Sequence, residues 1–382
     1  MPGLRCCPAV SVVADVAMVS AGVALIVIVL DSALRTFVLP RGARTPLTRA
    51  VFVLLRRFFD LMARPAKTYD RRDRIMALYA PIGLLLLVLV WLLMVIGGYT
   101  LIYRVLTVET WDGAFELSGS SVFTLGVVSP PGDAGDAAIV FSEAAAGLAL
   151  VALLIAYLPT IYNAFSRREV LVAKLAVRAG NPPSGVELLT RSQAMQRFNL
   201  MDEVWTEWQT WFAELEETHT SLAVLSFFRS PQAERSWVTA AGAVLDAASL
   251  YNSVVAAPWS PNAGACVRSG FTALRTIAGY FEIPYDPDPE PTDPISIARE
   301  EFDEAMEAFE AARLPLRDDR DQAWRDFQGW RVNYDSVLLA LAGLTMAPFA
   351  LWSSDRSLSR PRRRLLRRRS GSPPGFPAAP PA

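Results

Sequence analysis

Three long apolar runs constrain this chain more than anything else in it. They are Val16–Val38, Ala77–Tyr103 and Ala138–Ile161. About 20 consecutive apolar residues are enough for a helix to cross the hydrocarbon of a bilayer, and each run meets that length. Backbone groups inside lipid must bond within their own segment, so the runs read as membrane helices. A cleaved leader is a poorer reading of the first run. Its only basic lead-in is Arg5, and a dense basic stretch follows it, which stops transfer. The remaining chain is polar enough to fold in water. The division is therefore a membrane region over 1–165, a helical domain over 166–355 and a tail over 356–382.

Lys and Arg set the expected orientation. Arg41, Arg44, Arg49, Arg56, Arg57, Arg64, Lys67, Arg71, Arg72 and Arg74 lie between the first two runs. Arg167, Arg168, Lys174 and Arg178 follow the third. Between Arg104 and Arg167 there is neither Lys nor Arg, and Glu109, Asp112, Glu116, Asp133 and Asp136 stand there instead. The charge rule puts the basic segments in the cytoplasm and the acidic connection outside, with the N-terminus outside too. The expectation is a multi-pass protein of the cell membrane. A fourth apolar run, Val337–Trp352, is short and contains Pro348. Crossing would also export the arginines at 360–369, so it reads as a buried helix of the soluble domain.

The connection between the second and third runs holds the sequence AFELSGSSVFTLGVVS, residues 114–129. A short amphipathic stretch of about 113–123 ends in Thr124-Leu125-Gly126. Residues 76–165 resemble the two-transmembrane pore-loop unit of potassium channels, in the order outer helix, pore helix, filter, inner helix. The family filter reads Thr-Val-Gly-Tyr-Gly-Asp; here the matching positions are Thr124, Leu125, Gly126, Val127, Val128 and Ser129. The resemblance implies an all-α membrane protein with three spans and a re-entrant loop over about 113–129. It implies a homotetramer, since one loop cannot enclose an axis. It implies membrane lipid and a permeant monovalent cation, potassium in the family, as partners, and no metal beyond that transient ion.

The physics of such a loop is consistent. A filter replaces the hydration shell of an ion with backbone carbonyls. The C-terminal dipole of a short helix favours a cation. Thr124 can add a hydroxyl, and Gly126 permits the positive φ that turns a carbonyl inward. The sequence departs from the family at Val127, where a tyrosine braces the filter, and at Val128, where a glycine stands. A β-branched residue is strongly disfavoured at positive φ. The outer half of the filter is therefore not expected to take the usual potassium geometry, and selectivity is left open. The plainer reading is a short packed helix joining two ordinary spans.

In the third run, Gly147 is either a gating hinge or a site of close helix contact, and the run Ala144-Ala145-Ala146 suits both. Pro159 cannot donate to Ile155 and is expected to bend the helix. Glu143, an ionisable group at the outer end of a span, is expected to brace the pore helix through Ser118, Ser120 or Ser121. Asp31 and Arg35 form an i, i+4 pair. No regular arginine array marks a voltage sensor.

The remainder reads as helices, at about Ala233–Val255, Ala263–Phe281, Ile295–Arg313 and Asp318–Trp352. Ser184 with Glu187 forms a capping-box pattern. Trp205, Trp208, Trp211 and Phe212 recur at helical spacing and read as core. Enzyme chemistry has no footing. His219 is the lone histidine, and Cys6, Cys7 and Cys266 are too few and too scattered for a metal site or a disulfide framework. No P-loop, H-E-x-x-H, C-x-x-C or strand-borne G-x-G-x-x-G is present, so no cofactor and no nucleic acid are implied. The tail, basic and then Pro-rich, is expected to be disordered and either solvated or drawn to anionic lipid. The reading is thus a cation channel of uncertain selectivity. Its rival is a non-conducting membrane scaffold or sensor that keeps the channel layout.

Overall fold

A computed structural model describes residues 8–39, 45–108, 110–128 and 134–356. Cys6, Cys7, Arg41, Arg44, Glu109, Ser129, Asp133 and the tail from 357 lie outside them. The described residues form α-helices joined by turns, and their one β-bridge is isolated, Val255 to Leu316. Among the described residues, three helices are long and apolar enough to cross a membrane.

The first of these, α1 (Pro8–Phe37), packs along α4 (Tyr79–Leu106). The crossing is made by Gly22 and Gly98. A Cβ added at Gly98 would lie 2.9 Å from the Gly22 carbonyl oxygen, and one at Gly22 would fall on the Gly98 carbonyl. Glycine at both positions is what lets the two backbones approach this closely.

Between α1 and α4 the chain forms two further helices, α2 (Pro46–Ala63) and α3 (Tyr69–Ala77). Thr45 caps α2 by accepting from the Thr48 amide at 3.4 Å. A hydroxyl cluster holds the start of α2 against the last turns of α1, with Ser32 Oγ 3.1 Å from Thr45 Oγ1 and Thr36 Oγ1 3.1 Å from Thr48 Oγ1.

A short helix, α5 (Trp111–Val122), packs between α4 and α6 (Ala134–Ala179). Trp91, Val95, Tyr103, Ala114, Leu117 and Leu150 close that interior. The third apolar run was expected to end near 161. Instead α6 continues unbroken to Ala179, with Pro159 inside it. The reason lies in its buried stripe. Glu143, Gly147, Leu150, Tyr157, Ile161, Ala164, Arg168, Val172, Leu175 and Ala179 recur three or four residues apart. One helical face is therefore covered along the whole length, first by the apolar helices and then by the C-terminal helices.

Those helices are α7 (Gly185–Ala194), α8 (Met201–Ser221), α9 (Trp237–Val254), α10 (Pro261–Tyr280), α11 (Arg299–Ala311), α12 (Arg320–Arg331) and α13 (Asp335–Thr345). The centre is α9, buried on all sides except at Tyr251. Helices α6, α7, α10, α12 and α13 pack around it. Trp205, Trp208, Trp211 and Phe212 of α8 lie in the same core. The apolar run at 337–352 gives the short buried α13, which ends at Met346 in the left-handed region (φ 53°).

Two local expectations need correction. Asp318–Trp352 is not one helix, because the chain breaks at Val332–Tyr334. Arg331 turns inward there, its guanidinium bonding Asp246, Asp335 (2.7 Å) and the Trp352 carbonyl (2.5 Å). Asn333 Nδ2 meanwhile donates to the Gly329 carbonyl at 3.0 Å. The Ser184–Glu187 capping box does not form either. Ser184 is the N-cap residue but its side chain makes no cap bond, and Glu187 pairs with Arg191.

Candidate functional site: the loop after α5

The α5 helix starts on a built cap. Thr110 Oγ1 accepts from the Gly113 amide at 3.2 Å, and Asp112 sits in the positive first turn. Ala114 and Leu117 are fully buried. Ser118, also buried, donates to Glu143 of α6, and its Oγ lies 3.1 Å from the Ile96 carbonyl of α4. Tyr103 of α4 donates to the other Glu143 oxygen at 2.7 Å. Three helices thus meet at one carboxylate. Of the serines named from sequence, Ser118 makes the contact. Ser121 bonds back to the Leu117 carbonyl (2.7 Å), and Ser120 serves the loop. Tyr103 was missed because it closes an apolar run, where an aromatic residue reads as an interface anchor.

Beyond Val122 the chain reverses in two steps. The Thr124 amide donates to the Ser121 carbonyl at 3.0 Å and the Leu125 amide to the Ser120 carbonyl at 2.8 Å. Thr124 (φ 52°) and Gly126 (φ 65°) are both left-handed. Glycine takes that region freely, whereas threonine does so at a cost. Val128 does not adopt positive φ, so the clash foreseen for a β-branched residue there does not arise. Ser120 Oγ accepts the amides of Val127 (3.0 Å) and Val128 (3.2 Å), which ties the loop to the end of its own helix.

Residues 124–127 are uncovered within the single chain. Leu125 is 64% exposed and Val127 78%. The chain brings Thr124, Leu125, Gly126, Val127 and Val128 together at the end of α5, and Glu143 and Gly147 lie behind them on α6. Pro159 stands three turns further along α6, away from this cluster.

Gly147 has a direct steric role. A Cβ there would run into the Val122 carbonyl, so the glycine seats the end of α5 on α6. On α6 the residues Ala145, Ala149, Ala152 and Ala156 form an exposed row of small side chains, away from the buried stripe.

Other sequence candidates lie elsewhere. His219 is fully buried in the C-terminal helices, with Nε2 3.2 Å from Arg168 Nη1. Burial and the adjacent guanidinium hold its pKa well below the usual imidazole value. Cys266 is buried, and burial raises its thiol pKa far above the usual range, as suits an inert thiol. Among the described residues no cluster of His, Cys, Asp and Glu could hold a metal ion. No family model matches the chain, and no curated protein or solved structure matches it.

Proposed function

We propose that the protein is a potassium-channel-like cation channel of the cell membrane, assembled as a homotetramer, with its N-terminus outside and its C-terminal helices in the cytoplasm. The observation that carries this reading is the end of α5. A short helix enclosed by two apolar helices releases a loop that two left-handed residues turn outward, uncovered in the single chain. Irregular backbone among apolar helices is tolerated only where protein or water covers it. Four copies around an axis would supply both. Carbonyls of residues 124–128 and the Thr124 hydroxyl would then line the path of a monovalent cation. Glu143 braces the pore helix, and the small exposed face of α6 suits close approach of inner helices. Gly147 and Pro159 are the positions where the inner helix would bend.

A second reading is favoured by one specific contact. The Ser120 hydroxyl occupies the amides of Val127 and Val128, which fits a loop folded on itself in a non-conducting scaffold or sensor. Mass measurement of the intact complex and cation flux into proteoliposomes separate the two. Four copies with flux support the channel. One or two copies, or silence under every monovalent cation, overturn it.

A further inference from the structure

The structure gives α2 three sectors, and the chain itself accounts for only two. Val51, Leu55, Phe59 and Ala63 form the buried face, the last three against Met76 and Tyr79. Tyr79 donates to the Phe52 carbonyl at 3.2 Å, and the Phe52 ring lies against Gly83 of α4. The polar sector reaches the C-terminal helices. Arg49 pairs with Glu282 at 2.9 Å, and Arg56 donates to the Leu344 carbonyl at 3.1 Å. Between these faces lies a sector that is apolar and bare. Leu54 is 63% exposed, Phe58 56% and Leu61 60%, with Met62 beside them. Their spacing of four, three and one places them on one side of the helix.

We infer that this sector of α2 lies in the membrane interface and docks on anionic phospholipid. The inference rests on the reading that α1 and α4 cross a membrane. Position supports it. The hydroxyl cluster fixes one end of α2 to the last turns of α1, and Phe52 packs on the first turns of α4, so α2 sits where both helices end. Charge supports it as well. Arg57, Arg64, Lys67 and Arg71 are all exposed, on α2 or just after it. With its arginines α2 is too polar to span, and at 18 residues it is about 27 Å long. A helix with an apolar strip flanked by basic residues lies in the interface plane, and its cations meet acidic headgroups.

The test uses full-length protein with Cys6→Ser, Cys7→Ser and Cys266→Ala. Single cysteines at Leu54, Phe58 and Leu61 carry a fluorophore. Leu93, exposed on α4, serves as a membrane control and Arg325, exposed on α12, as a water control. The protein is reconstituted in phosphatidylcholine with and without phosphatidylserine. Nitroxide-bearing lipid should quench the three α2 positions as it quenches Leu93, with loss of quenching at Arg325. Replacing Arg57, Arg64, Lys67 and Arg71 by Gln should reduce retained phosphatidylserine, by up to about fivefold per charge. Quenching of the α2 positions by aqueous iodide alone would overturn the inference, as would disulfide cross-linking of Phe58→Cys between two copies. Equal retention of both lipids by the parent and the Gln variant would overturn the choice of an anionic lipid. If Leu93 is also unquenched by lipid, the membrane reading fails as well, and the inference with it.

Discussion

Arg168 and His219 face each other in a closed interior, Nη1 to Nε2 at 3.2 Å, joining the far end of α6 to the end of α8. The guanidinium also donates to the carbonyls of Leu225 (2.9 Å) and Phe228 (2.8 Å) and pairs with Glu169 at 2.8 Å. On the other side of the ring, Nδ1 lies 3.2 Å from Thr218 Oγ1, whose proton goes to the Glu214 carbonyl at 2.6 Å. These partners assign the tautomer. Nδ1 carries hydrogen, facing Thr218 Oγ1 and the Leu215 backbone carbonyl, while Nε2 accepts from Arg168. The contact ties α6 directly to the C-terminal helices.

The pair makes stability depend on pH. The folded pKa of His219 is lowered, by burial first and by Arg168 second. The unfolded chain therefore binds the proton more readily than the folded one. The stabilising contribution is complete above the ordinary value of 6.5 and is lost as pH falls from there toward the folded value. Melting temperature of the detergent-solubilised protein should drop below pH 6.5. In His219→Gln that part of the drop should vanish; an unchanged profile would count against the assignment.

Arg331 and Asp246 form an ion pair that water does not reach, and Tyr334 OH donates to the same Asp246 oxygen at 2.9 Å. Removing Asp246 leaves the buried Arg331 guanidinium with Asp335 as its one counter-charge, and breaking a buried pair costs about 3–5 kcal/mol. Asp246→Leu should lower the melting temperature steeply. Adding Arg331→Met should recover part of the loss, because the buried guanidinium is then gone and Asp335 keeps its bonds from the Ser296 amide and hydroxyl. Strictly additive losses would mean that the pair is not coupled.

Gly97 and Gly98 are neighbours with opposite prospects. A Cβ at Gly97 meets nothing within 4 Å, whereas one at Gly98 presses on the Gly22 backbone. Gly98→Ala should destabilise by about 1–3 kcal/mol through overpacking. Gly97→Ala should be neutral or slightly stabilising by helix propensity. Thermal melts of both variants in one detergent check the contrast, and equal behaviour would contradict the α1–α4 crossing.

Gly147→Ala should push α5 away from α6, because its Cβ meets the backbone at Val122. Amide exchange at Ser120–Gly126 is the readout. Exchange should accelerate there, while α9, remote from the contact, stays protected. An unchanged α5 would favour a glycine whose role is bending rather than seating.

Much of the fold was legible because period and length carry it. The three apolar runs, the amphipathic stretch at α5 and a helix over about Ala233–Val255 follow from pattern alone. The rest turns on pairings that a linear sequence does not display. Gly22 and Gly98 are ordinary glycines until two helices cross. Arg331 looks like a surface charge within a helical pattern, yet it ends α12 inside the core, paired with Asp246, 85 positions away. Glu187 had Ser184 at capping distance, but Arg191 one turn on captured it. At the candidate site, the contact of Glu143 with a serine of α5 was readable from a carboxylate at the outer end of a span. Tyr103 and the Ser120 latch on the loop were not, since both depend on how the chain folds back.

The most direct trial of the proposed pathway places one cysteine at Thr124, in protein lacking Cys6, Cys7 and Cys266, and follows cation flux into proteoliposomes. A positively charged thiol reagent applied during flux should stop it, and the same reagent should leave a Val177→Cys protein, exposed near the end of α6, conducting. Flux that continues with Thr124→Cys fully modified, or no flux in the unmodified parent, would contradict the account.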